Sequence, residues 1–293
     1  MAIAYPVDER VTKKSWWAVL EHVPVFPSIV LVALVFTAVF ASSLAPHSPT
    51  EGNIMRKLVP PIWTERGTWE HPLGTDRFGR DVLSRIIYGS QISLVVSLLV
   101  IGVAGTIGTL VGLIAGYRGG WTDAALMRLT DIGLSLPTIL IAVVLVAVSE
   151  PSFGNVILVI SLLLWPRFAR QIRGETLAIK EQDFVALAVV AGRSSAWIIS
   201  RHIFPNVVPT LLVICTLQVG YVILLEGSLS FLGVGVPPPN PAWGLMIADG
   251  RGFLATAWWI TLFPGLAMLL TVLAVNLLGD WLRDRLDPKL RQV

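Results

Sequence analysis

Charge is what this sequence has least of. Asp, Glu, Lys and Arg make up 14% of its 293 residues, against roughly 25% in a soluble domain. Apolar residues account for 54% and mean hydropathy is +0.73, which places the chain in a membrane. The excess of 22 Lys+Arg over 19 Asp+Glu is too slight to point to nucleic acid. The single cysteine, Cys215, lies inside an apolar run, so an intrachain disulfide and a cysteine-rich metal site are both excluded. Four histidines, His22, His47, His71 and His202, are scattered without metal-ligand spacing, and no metal site is expected from them. No Gly-x-x-x-x-Gly-Lys-Ser/Thr occurs, so the chain has no P-loop for nucleotide phosphates and its energy must come from elsewhere. No cleavable signal peptide is visible. A polar, partly charged leader precedes an apolar run long enough to remain as an anchor.

What the chain does have is long apolar runs. Six are predicted to span a membrane, over residues 25–45, 92–116, 132–149, 151–168, 207–225 and 258–278. The fourth is short, and Arg167 and Arg170 are expected to snorkel from it toward the headgroups. With the N-terminus inside, 15 Lys and Arg fall on the cytoplasmic side and 7 outside, so both termini are expected in the cytoplasm. Arg77, Arg80 and Arg85 run against that bias, but they alternate with Asp76 and Asp81. Trp16, Trp17, Trp258, Trp259 and Trp281 stand near span ends, where an interfacial belt is the default expectation.

The six cores hold almost no ionisable side chain, which weighs against an ion-coupled carrier. Glu226 is the nearest case. It either faces a translocation path, where it would meet a cationic amino terminus, or lies at headgroup level paired with a basic residue. Gln218 and Asn276 are uncharged polar residues deeper in the spans and complete the candidate path. Asp249 and Arg251, in a Pro-rich outer loop, carry the same ambiguity. In the second run Gly102, Gly105, Gly108, Gly112 and Gly116 occupy about a third of the helix circumference, a face either for close helix packing or, as the functional alternative, for lining a pore with exposed backbone.

Between the fourth and fifth runs lies a polar interval containing nine uncharged residues, Phe184 to Gly192. Such a segment reaches only about half of a ~30 Å hydrocarbon core. It is apolar almost all round, so it must be buried against lipid, its own chain or a partner. Asp183-Phe184-Val185-x-x-Ala188-x-x-x-Gly192, followed by His202-Ile203-Phe204-Pro205-Asn206, resembles the cytoplasmic coupling loop of ATP-binding-cassette importer permeases. The family's Glu-Ala-Ala core begins at Ala186, with Leu187 second. The usual acid is therefore missing from its place, and Asp183 stands three residues earlier.

Further stretches are similar to the "C" type of dipeptide and oligopeptide permeases. They are Leu73-Gly74-Thr75-Asp76-x-x-Gly79-Arg80-Asp81, Gly116-Tyr117-x-Gly119-Gly120-Trp121-x-Asp123 with Arg128, Asp131 and Pro137, Leu229-Ser230-Phe231-Leu232-Gly233, Pro241-x-Trp243-Gly244, and a tail from Asn276 through Asp287-Pro288. The resemblance implies an all-α integral membrane protein with six transmembrane helices and the type I importer fold. Residues 1–72 would hold a leader, the first helix and an outer loop, and residues 73–293 the permease domain. It further implies an ATPase-coupling loop of Asp183, Phe184, Val185, Leu187, Ala188, Ala191, Gly192 and Pro205. The implied partners are a homologous "B" type permease, two ATPase subunits that hold the ATP, an extracytoplasmic peptide-binding protein and membrane lipid. The chain itself would catalyse nothing and carry no cofactor. Relatives that move nickel chelates, glutathione or sugars keep the cargo open, and an autonomous ion-coupled carrier is the alternative from another class.

Overall fold

A computed structural model describes residues 23–148 and 152–286. Arg10, Lys13, Lys14, Trp16, Trp17, His22 and the Asp287-Pro288 tail lie outside the described residues. The described residues are helical without a named strand, their only β feature being an isolated bridge between Thr75 and Asp81. Helix α1 covers Val25–Val39, α2 Val82–Arg118, α3 Gly120–Ser135, α4 Thr138–Val148, α5 Phe153–Lys180 and α6 Asp183–Val190. Helix α7 covers Ser195–Phe231, α8 Trp243–Gly250 and α9 Trp259–Leu286.

Four of these helices, α2, α5, α7 and α9, are long and apolar enough to cross a membrane, and α3 with α4 makes a fifth if counted together. Two expected spans differ from their sequence outline. The run 25–45 is interrupted at Phe40, leaving the 15-residue α1 and a separate helical turn at Ala41–Leu44. At about 1.5 Å per residue α1 is roughly 22 Å long, short of a hydrocarbon core. The run 132–149 is broken at Leu136, whose ψ of 137° is extended, and α3 and α4 meet at 87°. Pro137 is the cause: it lacks an N–H, and its ring drives the preceding residue out of the α region.

The other helices outrun their apolar segments. Helix α2 starts ten residues before its run, where the Asp81 carboxylate accepts the Ser84 N–H at 2.7 Å as an N-cap. Helix α5 continues past Phe168 to Lys180, and α7 begins at Ser195 with Ser194 as its cap. Inside α7 a π turn at Ile199–Ile203 precedes Pro205, whose missing N–H and ring bulk disturb the regular ladder.

The glycine face of α2 sets the packing. Among the described residues, helices α2 and α5 are the most extensively packed pair. A Cβ on Gly108 would lie 2.5 Å from the Trp165 carbonyl oxygen, and one on Gly112 2.7 Å from that of Ala169. Backbone meets backbone here, and no larger residue fits without moving α5. Gly102, at the other end of the stripe, faces open space instead. Helix α7 packs on α2, α5 and α9, while α1 packs on α2 and α9. Val96, Val100, Ile160, Phe168, Val207 and Val222 are among the residues of the main core. Leu98, Leu140, Leu158 and Leu269 are exposed on the outside of the bundle, an apolar coat that suits lipid rather than water.

Arg167 and Arg170, the arginines expected at the headgroups, have protein partners, and so does the neighbouring Arg173. Arg173 forms a fork with Asp123 at 2.5 and 2.6 Å, and Arg170 pairs with Asp131, so α5 is pinned twice to α3. Arg167 lies over the Tyr221 ring of α7 at 3.9 Å, and Lys180 over Tyr117 of α2 at 5.7 Å.

Candidate functional site

The candidate coupling loop lies where α5 ends and α7 begins. Gln182 turns the chain, Asp183 occupies the first turn of α6, where the helix dipole favours a carboxylate, and seven further residues complete the helix. Its C-terminal carbonyls at Leu187, Ala188 and Val189 are all bonded. Gly192 adopts φ +72°, its N–H donates to Val189 O at 2.9 Å, and the Arg193 N–H reaches back to Ala188 O at 3.1 Å. This is a Schellman ending, in which the left-handed residue is cheap only as glycine.

The helix is apolar nearly all round, yet its two faces differ in burial. Val185 and Ala188 are 2% and 8% exposed and belong to the main core, which also holds Ile179, Ile198 and Ile203. Phe184, Leu187 and Val190 repeat at i, i+3 and i+6 on the other face and remain open, Leu187 at 69% and Val190 at 86% exposure. Ala191 and Asp183 are exposed as well. The sequence grouped Ala188 with the docking residues. The structure separates it: Ala188 fastens α6 to its own chain.

The helix is also held from the side. The Phe184 ring lies 5.8 Å from His202, which meets Trp197 edge-on at 5.0 Å, and Arg193 lies 4.9 Å over the same indole. This chain of rings ties α6 to the first two turns of α7, immediately before the exposed Pro205. Trp197 and Arg193 were missed from sequence. The signal available was the Arg193-x-x-x-Trp197 pair at helical spacing, five residues before His202.

The candidate translocation residues do not converge. Glu226 is 1% exposed on α7, which runs on to Phe231. Its Oε1 accepts the Ser230 hydroxyl at 2.6 Å, and Ser230 Oγ in turn accepts the Val236 N–H at 3.1 Å. Its Oε2 has no partner, and no basic group pairs with it among the described residues. In this chain Glu226 is thus closed off from solvent and has no basic partner among the described residues. Asn276 is exposed on α9, its Oδ1 3.0 Å from where a Cβ on Gly220 would stand. Gly220 is about 200° round α7 from the half-buried Gln218, so Asn276 and Gln218 look onto different sides.

At the opposite end of α2, the Gly74-Thr75-Asp76 stretch forms a polar clasp. Asp76 Oδ1 accepts the Phe78 and Arg80 N–H groups, and Oδ2 accepts from Arg80 Nε at 2.7 Å. Asp249 pairs with Arg77 at 2.7 Å and with Arg80 at 3.5 Å. Of the arginines that ran against the charge bias, Arg77 and Arg80 are thus paired with carboxylates, and Arg85 Nε stands 3.7 Å from Asp76 Oδ2. Trp259 is buried and donates to Thr75 O at 3.1 Å, so it is a strut of this clasp rather than a belt residue. Two of the four histidines scattered in sequence, His47 and His71, come together in the fold with Glu70.

Residues 108–292 match the family described as binding-protein-dependent transport system inner membrane component. The chain is 43% identical over 291 residues to the dipeptide transport system permease protein DppC of Escherichia coli K12, covering 99% of this chain and 97% of that one. It is 42% identical over 264 residues to DppC of Haemophilus influenzae, covering 90% and 89%. The di/tripeptide permease DppC of Pseudomonas aeruginosa is 40% identical over 261 residues, covering 89% and 86%. With a matching family domain and full-length relatives of this kind, the chain belongs to the inner membrane components of binding-protein-dependent transport systems.

Proposed function

We propose that this chain is one of two membrane-spanning subunits of an ATP-driven importer of di- or oligopeptides. The observation that carries the reading is the near-complete alignment with a dipeptide permease. The open apolar stripe Phe184, Leu187 and Val190 supports it, since a helix too short to span and left uncovered on one face calls for a partner. In this reading α6 seats in a groove of an ATPase subunit, and closure of the ATPases drives alternating access of the permease helices. The second permease subunit, two ATPases and an extracytoplasmic binding protein complete the machine. ATP is held by the ATPases, and the chain itself performs no chemistry.

The topology that goes with this function has six crossings, with α1 and its following turn as the first, the bent α3–α4 pair as the third, and both termini and α6 in the cytoplasm. The unit doing the transport is residues 73–293, preceded by the first crossing and its outer loop. Charge supports the orientation, because the surplus of Lys and Arg lies on the α6 side. Expression of the chain with its neighbouring subunits in a peptide-uptake-deficient auxotroph tests the function. Growth on a dipeptide carrying the required amino acid is expected, and growth on the free amino acid alone would overturn it.

A further inference from the structure

His47, Glu70 and His71 are brought together by the loop between α1 and α2. One ring nitrogen of each histidine and a carboxylate oxygen of Glu70 all lie within 4.8 Å of one another. The surroundings position these groups individually. The His47 backbone N–H donates to Ser84 Oγ at 3.0 Å, which fixes the residue beside the first turn of α2. The two imidazoles lie with centroids 4.7 Å apart at a 37° tilt. His71 Nδ1 is 3.1 Å from Asp81 Oδ1, and Asp81 is itself locked by its role as the N-cap of α2. With Nδ1–H given to that carboxylate, the lone pair of His71 is on Nε2, the arrangement that typically orients a metal-ligating histidine. His47 Nδ1 is buried and has no hydrogen-bond partner among the described residues, so a polar atom here is left unsatisfied by them.

Glu70 supplies the mobile part. Among the described residues it is exposed and paired with Arg56, so its carboxylate stands on the surface and can exchange Arg56 for another cation.

We propose that His47, Glu70 and His71 form a binding site for a divalent first-row transition ion, with Asp81 as the positioning residue for His71. Two imidazole nitrogens and one carboxylate oxygen are the donor set of three-ligand zinc sites, with water in the fourth position. Ligands at roughly 2.0–2.2 Å from a tetrahedral ion stand about 3.3 Å apart, so the three side chains must draw inward by about 1–1.5 Å. Rotation of Glu70 and a small shift of the half-buried His47 provide that. The bound ion would stitch residue 47 to residues 70 and 71 and, through Asp81, to the start of α2.

Zinc and cobalt are the probes. The permease complex, purified without a polyhistidine tag and stripped with chelator, is titrated with Zn2+ by calorimetry and with Co2+ in the visible spectrum. The expected result is one saturable ion per chain, a Co2+ ligand-field band, and at least tenfold weaker binding in His47→Gln and in Glu70→Gln. The absence of a saturable ion on the unaltered complex would overturn the proposal without recourse to any variant. So would unchanged affinity in the His47→Gln/Glu70→Gln double variant, because the ion would then be held elsewhere.

Discussion

Leu187→Asp separates docking from folding at α6. Leu187 is 69% exposed and touches little of its own chain, so the substitution leaves the bundle intact. Full burial of a leucine is worth about 1.5–3 kcal/mol, so the exposed two-thirds would contribute about 1–2 kcal/mol on docking. Leu187→Ala should therefore weaken ATPase binding by about 5–30-fold. Aspartate loses the same contact and adds the cost of a carboxylate desolvated without a partner, several kcal/mol more, which takes the loss beyond about 100-fold. Ala188→Asp is the contrasting variant. At 8% exposure it faces the protein's own core, so it should lower the amount of permease in the membrane rather than merely release the ATPase. The readouts are permease level, recovery of the partner permease and recovery of the ATPases on affinity pulldown, alongside peptide-dependent growth. Normal ATPase recovery and growth with both Leu187→Asp and Val190→Asp would refute the assignment of this face to docking.

Gly192→Val forces a β-branched residue into φ +72° and should misdirect α6, cutting uptake while the permease pair still copurifies; wild-type uptake would count against the Schellman ending as a determinant. Gly112→Leu should separate α2 from α5 and abolish accumulation of the folded protein, read as loss of a monodisperse peak in detergent. Single cysteines at positions 60, 190 and 245, in a Cys215→Ser background, should react with an impermeant thiol reagent on intact cells at 60 and 245 only. Strong labelling at 190 would reverse the topology. The lone subunit in proteoliposomes should neither hydrolyse ATP nor accumulate peptide under a proton gradient, and gradient-driven uptake would favour the autonomous carrier.

Long apolar runs made the bundle legible, because spans of that length have few alternatives to a buried or lipid-facing helix. The outline failed at one proline, although α5, α7 and α9 run on through Pro166, Pro209 and Pro264. Pro137 lay inside the expected third span, and the chain turns there by 87°. Helix ends were also hidden, since the polar extensions 82–91, 169–180 and 195–206 carry no hydropathy signal and depend on caps and tertiary ion pairs. The two faces of α6 could not be told apart because nearly every position is apolar, so periodicity carries no information. Asp123 and Arg173, or His47 and His71, are too distant in sequence for spacing to reveal a pair that only the fold creates. Gly192 was the opposite case, a residue whose type alone announces a local conformation.

The backbone contact between α2 and α5 has a mechanical consequence. An interface made of long side chains can creep, because rotamers re-sort as helices slide. At Gly108 and Gly112 there is almost nothing to re-sort. The two helices are welded, and α3 is riveted to the same body by Arg173 and Arg170. In the proposed mechanism a push received at α6, one short turn beyond Lys180, would travel along a strut of about 42 Å whose ladder lacks one donor, at Pro166. The compliance has to reside where the ladder is already interrupted, at the Leu136–Pro137 elbow and at the π turn of residues 199–203.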